Sequence, residues 1–205
     1  MEVIMHRSVT LPLFSSPVGI YKLQKDFDLH VNYEFKPLLS SVVADSYITC
    51  RKDILNDYID LKNMIMECFN DYKNSVFEYA YTDFKITTSW MTKVEPNNFS
   101  EFHKHSNSMF SAVYYFDTSE EIAPLQFKYN NVLSNFGLNV RKENIYNQDV
   151  QSIRPEKNYL IFFPSHLEHR IGLHKGEKTR YSLACNFFPT GEIGREDSYV
   201  NLLVQ

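Results

Sequence analysis

The sequence has no cluster of basic residues, no long apolar run and no cysteines at a metal-ligand spacing. Its 205 residues carry a net charge of −4 and a pI near 6.0, whereas a nucleic-acid-binding domain usually presents a basic face. No apolar run approaches the length of a membrane span, and the N-terminus lacks the apolar core of a signal peptide. We therefore expect neither a nucleic-acid partner nor a membrane anchor.

Cysteines and linkers are also scarce. Cys50, Cys68 and Cys185 are the three cysteines, and an odd count without metal spacing favours reduced thiols in a cytoplasmic protein. Internal repeats, low-complexity segments and linkers rich in Pro, Gly and Ser are absent. We expect a single domain over residues 1–205, made of an N-terminal strand and helical support (1–81), a β core (82–190) and a C-terminal tail (191–205).

The periodicity of the apolar residues changes along the chain. Residues 11–24 are expected to form an edge strand with a turn at Ser16 and Pro17, and helical spacing over residues 53–76 predicts a helix that Asp53 could cap. From residue 82 the period becomes two, and one strand is expected to carry on one face Phe84, Ile86, Thr88, Trp90, Thr92 and Val94. Further strands are predicted in MFSAVYYF, PLQFKYN, NYLIFFP and EKTRYSLACNFF. The pattern indicates an α+β, mainly β chain with an antiparallel sandwich or barrel.

Two histidine clusters offer metal ligands. His103 and His105 are separated by one residue, which places both side chains on one face of an extended chain. About sixty residues later, His166, His169 and His174 follow a buried strand. Of the remaining histidines, we expect His6 and His30 to be structural, and we expect His174, in a Gly/Lys turn, to be solvated.

The last long predicted strand contains an arginine. Arg180 and Ser182 share one face with Ala184 and Asn186, whereas Tyr181, Leu183, Cys185 and Phe187 take the other face. A buried arginine needs an anion, and its planar fork of donors matches a carboxylate. The anion is either a ligand or a carboxylate of the core.

In this order and spacing, the blocks HKHSNSMFSAVYYF, LIFFPSHLEHRIG and RYSLACNF resemble the iron(II)/2-oxoglutarate-dependent oxygenases. They are most similar to a prolyl-hydroxylase-like branch common in marine bacteria and phages, over roughly residues 86 to 188. The resemblance implies a double-stranded β-helix, the cupin-like jelly-roll barrel of this superfamily. It also implies a cytoplasmic enzyme of a bacterial or phage-infected cell.

The resemblance further implies the roles of individual residues. His103 would be the first ligand of Fe(II) and His169 the distal one. Arg180, helped by Ser182 and Tyr115, would bind the 5-carboxylate of 2-oxoglutarate, while Tyr114 would face away. Ascorbate is a further candidate cofactor.

The sequence departs from the superfamily at position 105. Non-haem iron oxygenases commonly combine two histidines with one carboxylate, whereas this chain has His105 in the carboxylate position. Either His105 is a third ligand or a carboxylate such as Glu101 completes the site. His166 replaces His169 as the distal ligand if the register is shifted; otherwise His166 is a rim candidate, as is Trp90, for which core packing is the alternative.

The leading hypothesis is a dioxygenase that hydroxylates a C–H bond of a small molecule or peptide, for instance at a prolyl residue, and forms succinate and CO2. The alternative is a non-catalytic, cupin-like barrel that binds a metal or a small acid. A zinc hydrolase ranks last because it gives Arg180 and Ser182 no role. The sequence gives no indication of the oligomeric state.

Overall fold

The computed structural model describes residues 12, 14–38, 46–79, 82–117, 122–129 and 137–204. Most of the regular structure in these residues is antiparallel β. One α-helix of the described part of the chain, α1, covers Ile59–Val76, and short 3-10 helices cover Ile54–Asp57 and Glu196–Ser198. The strands are β1 Gly19–Lys22, β2 Phe35–Pro37, β3 Ser46–Thr49, β4 Asp83–Val94, β5 Phe110–Tyr115, β6 Leu125–Lys128, β7 Val150–Ile153, β8 Tyr159–Pro164, β9 Glu168–Ile171, β10 Arg180–Ile193 and β11 Val200–Leu202.

Two antiparallel sheets form the body of the protein. The major sheet has the order β1-β8-β5-β10-β4-β3-β2, with β11 paired to β10, and the minor sheet has the order β7-β6-β9. The order is non-sequential because the chain crosses repeatedly between the sheets, as in a jelly roll. An isolated antiparallel bridge joins His103 to His169 and so connects the segment before β5 to the minor sheet.

Helix α1 covers one face of the major sheet. Its fully buried side chains recur at helical spacing, and they are Leu61, Ile65, Phe69 and Tyr72. The Phe69 ring stacks on Phe187 of β10, with 4.0 Å between the ring centroids. The helix therefore acts as structural support.

The start of the predicted helix was wrong. A 3-10 turn precedes Tyr58, which is the N-cap residue of α1. Asp53 makes no capping hydrogen bond, because its carboxylate accepts from Nε of Arg51 at 2.5 Å. The ion pair with the surface residue Arg51 thus occupies the Asp53 carboxylate that the sequence pattern assigned to the helix cap.

The two faces of the central strands have different surroundings, as the alternation on β10 predicted. Tyr114, Phe162 and Leu183 belong to the core beneath α1. Tyr115 and Phe163 belong to a second core cluster between the two sheets. Side chains that face the minor sheet can therefore line a cavity while their neighbours secure the opposite face.

A β-bulge changes the faces of β4. Asn186 pairs with Thr88 and Phe187 pairs with Ile86, so Thr87 has no partner in the register. The single face predicted for Phe84 through Val94 was therefore wrong, because a bulge turns the later side chains to the other face. Phe84 and Ile86 contact the helix-side core, whereas Thr88, Trp90 and Thr92 line the cavity between the sheets.

The predicted strands correspond to β4, β5, β6, β8 and β10, and the edge strand corresponds to β1. Short strands β2, β3, β7 and β9 were missed, since three or four residues give little periodicity. In the last segment, β10 runs on to Ile193 and pairs with β11. The division into residues 1–81, 82–190 and 191–205 stays a prediction. No helix in the described part of the chain is long and apolar enough to cross a membrane.

Candidate metal and carboxylate site

Three histidines from distant parts of the sequence meet in the structure. The backbone N–H of His103 donates to the carbonyl of His169 at 3.0 Å, and the return bond is 2.9 Å. This bridge places the side chains of His103 and His169 beside each other. The side chain of His105, two residues after His103, lies next to both. One side-chain nitrogen of each histidine lies within 4.8 Å of those of the other two. The predicted set of His103, His105 and His169 is thus brought together.

In each of the three histidines, the ring nitrogen Nδ1 is held by a hydrogen bond. Nδ1 of His103 lies 2.9 Å from the carbonyl oxygen of Glu101, and Nδ1 of His169 lies 2.9 Å from that of Leu167. A carbonyl oxygen can only accept, so Nδ1 carries the proton in both rings. Nδ1 of His105 lies 2.7 Å from the amide oxygen of Asn186. In the rings of His103 and His169, Nε2 is therefore left with a free lone pair, the form that binds a metal.

Burial keeps these imidazoles neutral. Desolvation lowers the pKa of His103, and it lowers the pKa of His105 to about 4, with the neighbouring His103 adding to the effect. The pKa of His169 is well below its usual value, mainly through burial and then through both other histidines. Neutral rings are ready to coordinate a cation without first releasing a proton.

Arg180 is buried and forms no salt bridge with any of the described residues. Its side chain is 2% exposed, and Nε and Nη1 have no hydrogen-bond partner. The guanidinium carbon lies 5.0 Å from the centre of the Tyr115 ring, and the phenol contacts the cation. Desolvation lowers the pKa of Arg180, with Tyr115 and the charge of Asp117 opposing it. The described residues include no ion pair to this arginine, which favours the ligand over the core carboxylate.

Both groups line one cavity of about 480 Å³ between the sheets. The six residues predicted for the metal and the carboxylate all contribute to its wall, and they are His103, His105, Tyr115, His169, Arg180 and Ser182. Trp90 also lines it, in edge contact with the ring of His105 at 5.2 Å between ring centroids. Tyr114 faces away and donates to Asn158 at 2.9 Å, as predicted.

Other candidates lie outside the cluster. His166 is exposed in the turn after β8 and does not line the cavity, and Glu101 meets His103 through its backbone carbonyl. His30 is exposed and stacks on Tyr33. His174 was wrongly expected to be solvated, because it is fully buried and its Nε2 contacts the carbonyl of Lys178 at 2.7 Å. His6 lies outside the described residues.

Sequence reasoning missed the groups that support His105. Ser111 and Ser165 are fully buried, and Ser111 lies 2.8 Å from Nδ1 of His105. Asn186 was assigned to the polar face of β10 but was given no role. The available signal was the presence of small polar residues inside otherwise apolar strands, where each must find a hydrogen-bond partner.

The donor set fits the two cofactors that the resemblance implies. Three imidazole nitrogens suit a first-row divalent metal such as iron. The unpartnered N–H groups of Arg180 suit a carboxylate of a ligand that enters the same cavity.

The family comparison agrees with this chemistry. Residues 88–186 match the family model described as "Putative 2OG-Fe(II) oxygenase". No protein of curated function matches the chain closely enough in sequence to count as a relative.

Solved structures share the fold at low sequence identity. An oxidoreductase of the 2OG-Fe(II) oxygenase family from Burkholderia pseudomallei is 10% identical, with a TM-score of 0.53 over 76% of this chain and 72% of that chain. HygX from Streptomyces hygroscopicus, with nickel and 2-oxoglutarate bound, is 8% identical, with a TM-score of 0.52 over 78% and 74%. A prolyl hydroxylase from Trichoplax adhaerens, in complex with a fragment of hypoxia inducible factor, is 14% identical, with a TM-score of 0.50 over 75% and 70%.

These similarities confirm the double-stranded β-helix with its supporting helix. The sequence match over residues 88–186 confirms the expected class of enzyme and its two cofactors. Residues 88–186 are thus the part of the chain that matches the 2OG-Fe(II) oxygenases, enzymes that use Fe(II) and 2-oxoglutarate.

Proposed function

We propose that this protein is a dioxygenase that hydroxylates a C–H bond of a small molecule or a peptide and converts 2-oxoglutarate to succinate and CO2. The observation that carries the proposal is the buried Arg180, which has two unpartnered N–H groups in the cavity that holds the histidine cluster. A metal site alone does not require this cation. A cofactor with a carboxylate at its far end does.

In this proposal His103, His105 and His169 hold Fe(II) through Nε2. The hydrogen bonds at the three Nδ1 atoms fix each ring and its tautomer before the metal arrives. Nothing in the described cluster supplies a carboxylate. We therefore assign the third ligand to His105 rather than to Glu101.

Arg180 would hold the 5-carboxylate of 2-oxoglutarate. The Nε and Nη1 groups are free to donate, and Ser182, two residues away on the same face of β10, can donate a third bond. The Tyr115 hydroxyl contacts the guanidinium and completes the surroundings of the same carboxylate. A carboxylate bound by these groups would offset the free-energy cost of burying the arginine.

When bound, Fe(II) and 2-oxoglutarate would supply the electrons that activate O2, which is the oxidant of the hydroxylation. The chain's own contribution is to orient the cofactor between Arg180 and the histidines and to limit water in the cavity. Apolar residues on both sheets serve this second task, and they are Val113, Leu125, Ile171 and Ala184. Such walls protect a reactive centre from side reactions.

The proposed substrate is either a small molecule or a peptide. Two of the similar structures contain such ligands: the Trichoplax adhaerens enzyme holds a peptide fragment, and HygX has also been solved with hygromycin B. We place the activity in the cytoplasm of a bacterial or phage-infected cell. The cysteines, which are all free, fit a reducing compartment.

A second candidate is a barrel that binds the metal and a small acid without turnover. One observation favours it: three neutral imidazoles provide the metal with no negative charge. Activity therefore separates the two candidates better than binding does.

A single-turnover experiment makes this separation. The protein is loaded with Fe(II) and 2-oxoglutarate without oxygen and then exposed to O2, with and without ascorbate, and succinate is counted. The dioxygenase is expected to form about one succinate per site even without substrate, whereas the Zn(II)-loaded control should form none. Equal amounts from the Fe(II) and Zn(II) samples would contradict the proposal and favour the binding barrel.

A further inference from the structure

The back of His105 is held by a buried polar network that the other two histidines lack. Nδ1 of His105 lies 2.7 Å from Oδ1 of Asn186 and 2.8 Å from Oγ of Ser111, and the Ser111 hydroxyl donates to the same amide oxygen at 2.9 Å. By contrast, His103 and His169 each use a backbone carbonyl two residues away. The third histidine is therefore held by side chains from two strands, β5 and β10.

The network continues away from the cavity through serines. Oγ of Ser111 lies 2.8 Å from Oγ of Ser165, which lies 2.8 Å from Oγ of Ser108. Ser108 donates to the carbonyl of Phe110 at 2.8 Å, and the carbonyl of Ser165 accepts from the backbone N–H of His105 at 3.1 Å. Strands β5 and β10, the segment before β5 and the turn after β8 thus cooperate to set both the main chain and the ring of His105.

Trp90 supports the same ring from another side. The two rings meet edge to face, with 5.2 Å between their centroids and an interplanar angle of 65°. Trp90 pairs with Ala184 on β10, two residues before Asn186, so both supports belong to neighbouring positions of the β4–β10 ladder. The ring of His105 has little freedom to turn.

We propose that Asn186 is the positioning residue of the third metal ligand. Its amide oxygen accepts a hydrogen bond from the Nδ1–H group of His105, and this bond fixes the tautomer in which Nε2 can bind the metal. The inference rests on the proposed metal centre for its purpose, but the hydrogen bond exists in the metal-free protein. A histidine at the usual carboxylate position needs such an acceptor, because its proton is otherwise free to move to Nε2 and block coordination.

The orientation of the Asn186 amide decides which ring nitrogen of His105 carries the proton. With the oxygen toward His105, Nδ1 is the donor and Nε2 is free. With the NH2 group toward His105, Nδ1 would accept and Nε2 would carry the proton. The two arrangements predict opposite tautomers.

The tautomer is read directly in protein labelled with ¹⁵N-histidine. Long-range proton–nitrogen correlations are recorded for the metal-free protein, and the His105→Gln variant identifies the signals of His105. We expect the Nδ1–H form in the wild type and a mixture, or the Nε2–H form, in Asn186→Leu. Asn186→Val, whose β-branched side chain suits a strand, serves if leucine prevents folding.

The matched control is Ser89→Ala. Ser89 is a buried serine on β4 whose Oγ accepts from the backbone N–H of Leu55 at 2.9 Å, on the helix side of the sheet. This variant loses a buried hydrogen bond without touching His105. It should therefore be less stable than the wild type but keep the wild-type tautomer.

Metal affinity gives the second readout. Co(II) binding is followed by visible absorption, and Asn186→Leu is expected to bind about 10- to 100-fold more weakly, whereas Asn186→Asp, which keeps an acceptor oxygen, should recover the affinity. Wild-type tautomer and affinity in both Asn186→Leu and Asn186→Val would overturn the inference, as would the Nε2–H form in the wild type. A wild-type protein that shows the Nδ1–H form but binds no metal would instead contradict the proposed function.

Discussion

At the scale of single residues, the site is built from groups that are costly to bury. Arg180 is 2% exposed, and two of its donors are unpartnered. A buried polar group without a partner costs about 1–3 kcal/mol. Such a cost is typical of a group kept for binding rather than for stability.

Replacing Arg180 by methionine should therefore stabilise the ligand-free protein. The side chain of similar length removes the unpaired charge, and we expect the free energy of unfolding to rise by about 1–3 kcal/mol. Urea denaturation measures the change. The exposed Arg154→Met is the control and should stay within about 0.5 kcal/mol of the wild type. A large loss of stability in Arg180→Met would mean that the guanidinium has a partner in the folded protein.

The choice between His169 and His166 is also a question for single residues. We expect His169→Ala to abolish tight binding of Co(II), because one of three ligands is lost. His166→Ala should bind as the wild type does, since His166 is exposed and outside the cluster. Equilibrium titration of both variants checks the pair, and the reverse result would move the distal ligand to His166.

At the scale of elements, α1 and the bulge in β4 set the geometry of the cavity. The helix holds one face of the major sheet, and the bulge at Thr87 turns the following side chains toward the minor sheet. A regular strand would send Phe84 and Trp90 to the same face. The cavity wall thus depends on one unpaired residue.

The packing of α1 predicts a large loss of stability in Phe69→Ala. Phe69 is fully buried and contacts Phe187 on β10, so truncation removes apolar contact and leaves a void. We expect a loss of about 3–5 kcal/mol in the free energy of unfolding. Val76→Ala, at an exposed position near the helix end, should change it by less than about 0.5 kcal/mol. Equal effects in urea denaturation would show that the helix does not support the sheet.

The features that sequence could predict are those with a local or repeating signal. The alternation along β10 correctly separated Arg180 and Ser182 from Leu183 and Cys185. The order of the blocks selected His103, His105 and His169 as metal ligands, and the structure places the three side chains together. A bulge leaves no trace in the alternation, and the role of Asn186 depends on a partner 81 residues away. Such long-range pairings cannot be read from a single strand.

At the scale of the whole molecule, the histidine cluster couples stability to pH. Burial holds the pKa of His105 near 4 in the folded, metal-free protein, whereas an unfolded histidine titrates near its ordinary value of about 6.5. Below this value the unfolded chain binds more protons than the folded one. Stability should therefore fall as the pH drops from about 6.5 toward about 4.

The metal-free protein should show this slope in its urea midpoint. His105→Gln should make the slope shallower, because glutamine does not titrate while His103 and His169 still do. His30→Gln, at an exposed position outside the cluster, should keep the wild-type slope. A midpoint that is constant between pH 6.5 and pH 4.5 would show that the histidines are not buried as neutral groups.

The central claim is that one cavity holds both the metal at the histidine cluster and the carboxylate at Arg180. Anaerobic titration of the Fe(II)-loaded protein with 2-oxoglutarate tests it most directly, since a keto acid chelated to Fe(II) gives a visible charge-transfer band. We predict a saturable band in the wild type and in Arg154→Met. In Arg180→Met its half-saturation should need at least about 30-fold more 2-oxoglutarate, the equivalent of about 2 kcal/mol or more. Absence of the band with Fe(II) bound, or equal affinity in Arg180→Met, would contradict the account.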